Sequence, residues 1–415
     1  MKFIKKAVNN QFLRNVSSLA IGTIISQIVV ILASPLLTRF YSVEAFGLLS
    51  LFTSCMVIFG VFTTGRYEFA LGLPEKDDKA KIIFRLITLI GSITSIVCLF
   101  IVFILREIVD YKGLSGLFET RWIYLAPIYS FCISLYSGLL YWNQRGKYYK
   151  RITIANALQV ITTTIFSLIF GFFFFFEEGM LLSLVIGVIA SSVFLLRKFS
   201  FQDISFNEIK KIAIEYISFP KYMILSDLSL TISQQFVPII FSSLYTTTIV
   251  GFYSLANRMI RLPNIIITSS IASVFRNEAI DEIRIKGNCK ELYISTLKKL
   301  ILISVPIYLF VFFSSPFLFS LFFGEKWIVA GKIARILSIV LMFEFIVIPL
   351  NSLFYIKNKQ KIYLRIQFLN MIFGIMALFS GFYYFNNFYY SIIFFSTTNL
   401  IFYSILFNFS YKYSK

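Results

Sequence analysis

Residues 301–323 read ILISVPIYLFVFFSSPFLFSLFF, a run without a charged side chain. As a helix rising roughly 1.5 Å per residue it is about 34 Å long, enough to cross a hydrocarbon core of about 30 Å. Comparable apolar runs recur from one end of the chain to the other. In lipid no water satisfies the backbone, so such runs fold as helices that close their own hydrogen bonds. Strands of a membrane barrel would alternate polar and apolar residues over about ten positions. Phe172–Phe176 and Ile301–Phe323 do not alternate. Composition agrees, with 58% hydrophobic residues and only 14% charged, against about 25% charged in soluble domains. Mean hydropathy is +0.80. The expected fold is all-α and polytopic in the membrane.

Working outward from this run, twelve transmembrane helices are expected. They lie near 13–37, 47–71, 82–105, 121–142, 153–176, 179–196, 222–244, 250–274, 299–323, 331–356, 363–385 and 389–410. With the N-terminus inside, 29 of the 39 Lys and Arg fall in cytoplasmic pieces or the adjoining four span residues, and 6 in or just beside exterior loops. That asymmetry is the orientation signal of an inserted chain, and it places both termini in the cytoplasm. It also accounts for the net charge of +19 without nucleic acid as a partner; the partner is the lipid bilayer. The first apolar run is too long for a signal-peptide core and reads as a retained span.

Several chemistries are excluded. The chain has no histidine, so neither a Ser-His-Asp triad nor a histidine-dependent acyltransferase site can be built. Its four cysteines show no CxxC spacing, which leaves no zinc or disulfide framework. No GxxxxGK[ST] loop is present, so ATP is not hydrolysed by that route. The longest exterior loop, near 106–120, is too short for a catalytic domain. No catalytic residue, metal site or cofactor is expected.

The halves look duplicated. Tyr41, Gly47, Ser50 and Leu51 recur with the same spacing as Tyr245, Gly251, Ser254 and Leu255. Lys147-x-Tyr149-x-Arg151 recurs as Lys361-x-Tyr363-x-Arg365. Six spans per copy make the duplication parallel, a transporter plan that puts a substrate cavity at the interface of two lobes. The lobes are expected at 1–200 and 222–415, with a cytoplasmic linker at 201–221.

Charges inside spans are costly, roughly 2.5–3.5 kcal/mol each at a helix centre, and mark pathways or partners. The second span holds Arg66 and Glu68, two residues apart and so on different faces of one helix. The eighth holds Arg258 and Arg261 on one face, flanked by Asn257 and Asn264, with Pro263 to kink it. The seventh carries Asp227, Thr231 and Gln234 as a polar stripe, and the tenth holds Arg335 and Glu344 on opposite faces. Arg66, Arg258 and Arg261 read as substrate-binding residues of a cationic cavity for an anion such as a lipid-linked phosphate or diphosphate, because a guanidinium stays charged and grips phosphate with two N–H bonds. The alternative is that they pair with Glu68, Asp227 or Glu344, or snorkel to the boundary. Asp227 reads either as an ion-pair partner or as a proton or sodium relay. Gln234 and Asn257 read as polar cavity residues or as helix-packing groups. Phe382–Tyr390 reads as an interfacial aromatic belt.

Ser34-Pro35-x-x-Thr38-Arg39-x-Tyr41-Ser42, then Glu44 and Phe46-Gly47, resembles a signature of the bacterial polysaccharide flippases. Arg66-Tyr67-Glu68-x-Ala70, followed by a mixed-charge turn from Glu75 to Lys81, resembles the next element of that pattern. Val43 stands where the family has a second proline. These proteins are the O-antigen and capsule repeat-unit translocases, Wzx-type, of the multidrug/oligosaccharidyl-lipid/polysaccharide exporter superfamily. The resemblance implies two six-helix lobes and alternating access. It further implies transfer of undecaprenyl-diphosphate-linked oligosaccharide from the cytoplasmic to the periplasmic leaflet, for O-antigen, lipopolysaccharide or capsule synthesis in the bacterial inner membrane. A polymerase and a chain-length protein of that pathway are the implied partners, and a proton or sodium gradient the implied coupling source. Three rivals stay open: a drug or cation efflux carrier of the same superfamily, favoured by intramembrane acids; a membrane-embedded polysaccharide polymerase or ligase; and a lipid scramblase or structural membrane component without substrate selection.

Overall fold

A computed structural model describes residues 25–108, 117–173, 178–196 and 205–415. Residues 13–24 of the expected first span, 174–176 at the end of the expected fifth, the centre of the loop near 106–120, 197–200 at the end of the expected first lobe and 201–204 of the linker lie outside the described residues. Every regular element among the described residues is helical.

Ten of the helices are long and apolar enough to cross a membrane. In order, α1 (Ile25–Phe40) is a shorter apolar helix. It is followed by α2 (Val43–Thr63), α3 (Asp77–Phe103), α4 (Leu125–Arg145), α5 (Tyr149–Phe173) and α6 (Gly179–Leu196). Next come the short α7 (Phe206–Glu215), α8 (Ser218–Leu244), α9 (Thr247–Ile260), α10 (Ser269–Lys286) and α11 (Lys290–Phe323). The chain ends with α12 (Ile328–Leu350), α13 (Ser352–Ile356), α14 (Gln360–Phe385) and α15 (Phe388–Ser414). The ten candidate spans match ten of the twelve expected. The eighth expected span is instead broken: α9 stops at Ile260, a π-helical turn covers Asn264–Thr268, and α10 follows. Pro263 has no N–H to give and crowds the preceding turn, which favours a break there, although α8 and α11 continue through Pro238, Pro306 and Pro316.

Contacts divide the chain into two compact units, residues 1–239 and 240–415. In unit 1, the core runs through Ile83, Phe84, Ile87, Leu139, Val188 and Leu195, all 0–2% exposed. Ile209 and Ile212 of α7 join it, which seats that amphipathic helix on α3. In unit 2, Val347, Phe354, Ile366, Phe402 and Leu406 gather α12, α13, α14 and α15. Small residues let helices close up, as lipid-embedded packing requires. A Cβ on Gly331 of α12 would lie 2.6 Å from Cα of Pro316 on α11. Many Phe, Ile and Leu side chains remain exposed, Phe313 at 72% and Leu302 at 75% among them. That outward apolar surface belongs in lipid rather than water.

The motif residues explain local structure. Ser42 caps α2, accepting from the Ala45 N–H at 3.1 Å, and Glu44 lies in the first turn against the helix dipole. Val43 occupies the first helical position, where proline is also tolerated. Tyr41, 1% exposed, donates its hydroxyl to the Ser167 carbonyl at 2.7 Å. Tyr245 opens the corresponding turn of unit 2 and shares a 2.7 Å hydrogen bond with Ser391. The second repeated motif is shifted. The turn with positive φ at Lys147 before α5 recurs at Asn358 before α14. The two copies therefore align one helical turn away from the register that Lys361-x-Tyr363-x-Arg365 implies.

Candidate functional site

Five of the candidate charged residues form one ion-paired cluster in each unit, Arg66, Glu68 and Asp227 in unit 1 and Arg261 and Glu344 in unit 2. In unit 1, Arg66 and Glu68 are not on a shared helix. The helix ends at Thr63, Gly65 and Arg66 take left-handed backbone at φ 57° and 62°, and Tyr67–Gly72 winds as a 3-10 helix. This corrects the expectation that the two side chains face apart. The reversal of the backbone turns both inward, and the Arg66 Nη1 lies 3.4 Å from Glu68 Oε1. On its other side the Arg66 Nε lies 3.0 Å from Asp227 Oδ2 on α8. Glu68 is nearly buried, with its side chain 4% exposed, whereas Asp227 is 27% exposed. One guanidinium thus sits between two carboxylates, a local excess of negative charge.

The loop after this cluster is held by a residue that composition does not single out. Arg145, at the C-terminus of α4, places its Nε and Nη2 3.2 and 3.0 Å from Asp77 Oδ1. It also donates to the carbonyls of Leu71, Pro74 and Glu75. Tyr67 ties the same stretch to α7 through a 2.9 Å bond to the Ala213 carbonyl, and Lys79 pairs with Glu215 at 2.7 Å.

In unit 2 the break after α9 builds the second cluster. Arg261, at the C-cap of α9, donates Nη2 to Glu344 Oε2 of α12 at 3.0 Å. Tyr403 of α15 donates to the same oxygen at 3.0 Å, and Asn264 Nδ2 donates to Oε1 at 3.3 Å. Tyr308 of α11 completes the set with a hydrogen bond to Asn264 Oδ1. Glu344 is 6% exposed, but the Arg261 side chain keeps 43% of its surface open. Arg258, one turn earlier, is exposed and has no ion-pair partner among the described residues. Arg261 is the one guanidinium that meets the Glu344 carboxylate, and Arg258 one turn away adds a second positive charge, a local excess of positive charge.

Of the remaining candidates, Asn257 is half-buried and its carbonyl accepts from the Arg261 N–H at 3.1 Å. Gln234 is exposed on α8, with Thr231 half-buried one turn before it. Arg335 is exposed and donates Nε to the Phe312 carbonyl at 2.9 Å, on the opposite face of α12 from Glu344. Neither Tyr308 nor Tyr403 is visible as a site residue in the sequence, where they are two of 24 tyrosines.

A family model described as "Polysaccharide biosynthesis protein" matches residues 36–332. Among solved structures, the chain resembles an inward-facing multidrug resistance MATE family transporter of the MOP superfamily. The TM-score is 0.70 at 15% identity, over 92% of this chain and 93% of that one. It also resembles the lipid II flippase MurJ in an inward closed conformation, with TM-score 0.69 at 14% identity, over 95% of this chain and 89% of that one. A MOP superfamily transporter from Pyrococcus furiosus, whose binding pocket is described as reversed in polarity, matches at TM-score 0.57 and 16% identity, over 95% and 94%. A search of curated protein sequences returns no match. The fold is that of this transporter superfamily, and the chain is a multi-pass membrane protein.

Proposed function

The chain belongs to the polysaccharide biosynthesis protein family, and on that premise we propose that it is a flippase for lipid-linked oligosaccharide. Its cargo is an oligosaccharide repeat unit on undecaprenyl diphosphate, moved from the cytoplasmic to the periplasmic leaflet of the inner membrane. Both termini face the cytoplasm. The product feeds O-antigen, lipopolysaccharide or capsule synthesis, with a polymerase and a chain-length protein acting downstream. The observation that carries the reading is a pair of accessible guanidinium groups one turn apart, Arg261 paired with Glu344 and Arg258 without an ion pair among the described residues. Such a pair attracts a diphosphate and remains charged at any working pH. Arg66 is a weaker candidate for the same headgroup, because Glu68 and Asp227 already occupy it. Asp227 is the more accessible acid and is the candidate for coupling to a proton or sodium gradient.

Arg258→Ala/Arg261→Ala in the native cell should abolish surface polysaccharide while the protein still inserts at normal level. Normal polysaccharide in that double variant would overturn the assignment. The acid excess around Arg66 and the likeness to a multidrug transporter favour one other reading, a carrier of cationic drugs. A changed drug-resistance profile on expression, with surface polysaccharide intact in a deletion strain, would decide for it.

A further inference from the structure

Glu344 is more heavily bound than a counter-ion for Arg261 has to be. Its Oε2 accepts from Arg261 and Tyr403, both at 3.0 Å, and its Oε1 accepts from Asn264 at 3.3 Å. Asn264 is itself fixed, donating to the Leu341 carbonyl at 3.3 Å and accepting from Tyr308. The donors to Glu344 come from the C-cap of α9, the π turn and α15, so three separate elements hold one carboxylate on α12, and α11 braces Asn264 through Tyr308. Burial at 6% exposure leaves that carboxylate no water to turn towards. A carboxylate held by several donors presents a fixed oxygen, here to Arg261 Nη2, and fixing one nitrogen of a planar group restricts the directions in which the others point. Arg261 keeps an open face, its side chain 43% exposed, whereas Glu344, Asn264 and Tyr308 are buried. Arg258 lacks any such support, being exposed and without an ion pair among the described residues.

We propose that Glu344, together with Tyr403 and Asn264, is a positioning residue that orients the Arg261 guanidinium for an isoprenoid diphosphate headgroup, with Arg258 as the mobile second arm. The proposal rests on the reading of Arg258 and Arg261 as headgroup ligands. It adds that the affinity is set by a network that does not touch the cargo. Because the network pins the break at Pro263 to three helices, the orientation is preset before cargo arrives, which lowers the ordering cost of binding.

The test uses the full chain in nanodiscs and two measurements. The first is affinity for farnesyl diphosphate, with farnesol and inorganic diphosphate as the arms that separate the lipid from the anion. The second is the rate of phenylglyoxal modification at Arg261 without ligand, read by peptide mass spectrometry. Glu344→Gln and Tyr403→Phe should each weaken farnesyl diphosphate binding about tenfold, the scale on which removing an orienting outer partner acts. Neither should weaken it further in an Arg261→Ala background, and both should speed modification of Arg261. Tyr403→Phe removes one hydroxyl and keeps the ring, so it reports even where Glu344→Gln folds poorly. Tighter binding in Glu344→Gln would mean that Glu344 only neutralises charge, and it overturns the proposal. Losses that add to that of Arg261→Ala, or an unchanged modification rate in both variants, overturn it as well. If the wild-type protein binds no farnesyl diphosphate, or Arg261→Ala binds it as well as wild type, the headgroup reading fails by itself. The modification rates then decide alone whether Glu344 and Tyr403 hold Arg261.

Discussion

Arg66 offers a way to separate backbone strain from charge at one position. It is a non-glycine residue at φ 62°, held there with its guanidinium between Glu68 and Asp227. The left-handed conformation costs an L-residue about 1 kcal/mol that glycine does not lose. Removing the guanidinium strands Glu68, whose side chain is 4% exposed, and breaking a buried pair from one side costs about 3–5 kcal/mol. Asp227 at 27% exposure recovers much of its own loss from solvent. Arg66→Ala should therefore lose about 3–5 kcal/mol, and Arg66→Gly about 1 kcal/mol less. Adding Glu68→Gln to Arg66→Gly should restore most of the loss, since the amide needs no cation. The assay is reversible unfolding in mixed micelles followed by tryptophan fluorescence. Arg66→Ala as stable as Arg66→Gly would refute the left-handed backbone. Arg66→Gly as stable as wild type would refute the dependence of Glu68 on Arg66.

Other consequences follow from packing and capping. Gly331→Ala should destabilise by about 2 kcal/mol, as overpacking does, because its new methyl meets the Pro316 and Ser315 backbone at 2.6 and 2.8 Å. Gly60→Ala, whose methyl meets nothing within 4 Å on α2, should instead stabilise by about 0.5–1 kcal/mol; the same unfolding assay reads both. Arg145→Ala should speed trypsin cleavage after Lys76 severalfold by releasing the 71–77 loop, and Arg145→Lys should not rescue it, because a point charge cannot reach the carboxylate and several carbonyls together. At α7 the Ser205 N–H bonded to Glu208 at 3.0 Å holds that carboxyl below the usual range. The depressed value means the cap stabilises α7 above the ordinary carboxylate range and fades as pH falls through the lowered value. Amide exchange at Ile209, corrected for intrinsic rate, should show that loss on acidification, and Glu208→Gln should remove the pH dependence.

Much of the fold was legible because a lipid-facing helix must be apolar along its length, and that signal needs no knowledge of partners. Ten expected spans emerge on those grounds. The eighth did not, since hydropathy over 250–274 cannot distinguish a straight helix from one that stops at Ile260 and restarts beyond Pro263. Arg66 and Glu68 were misread for a related reason. Placing them on one helix assumed regular geometry through Gly65, where the backbone turns left-handed. The arginines and their candidate acids were identifiable from the cost of charge in lipid. Which acid meets which arginine depends on helix neighbours far apart in sequence, so Arg261–Glu344 could be named only among alternatives. Tyr308 and Tyr403 carry no signal of their own in a chain with 24 tyrosines. Their role is visible only when α11, α12 and α15 converge on Glu344.

The central claim is that this protein moves a diphosphate-linked saccharide across a bilayer by way of Arg258 and Arg261. Its most direct test is reconstitution of the purified chain into liposomes loaded with a labelled oligosaccharide on an isoprenoid diphosphate. Leaflet exposure is then followed with a membrane-impermeant lectin. The account predicts rapid loss of protected label with the wild-type protein and the protein-free rate with Arg258→Ala/Arg261→Ala. Equal rates with and without wild-type protein, or wild-type rates in the double variant, would contradict it.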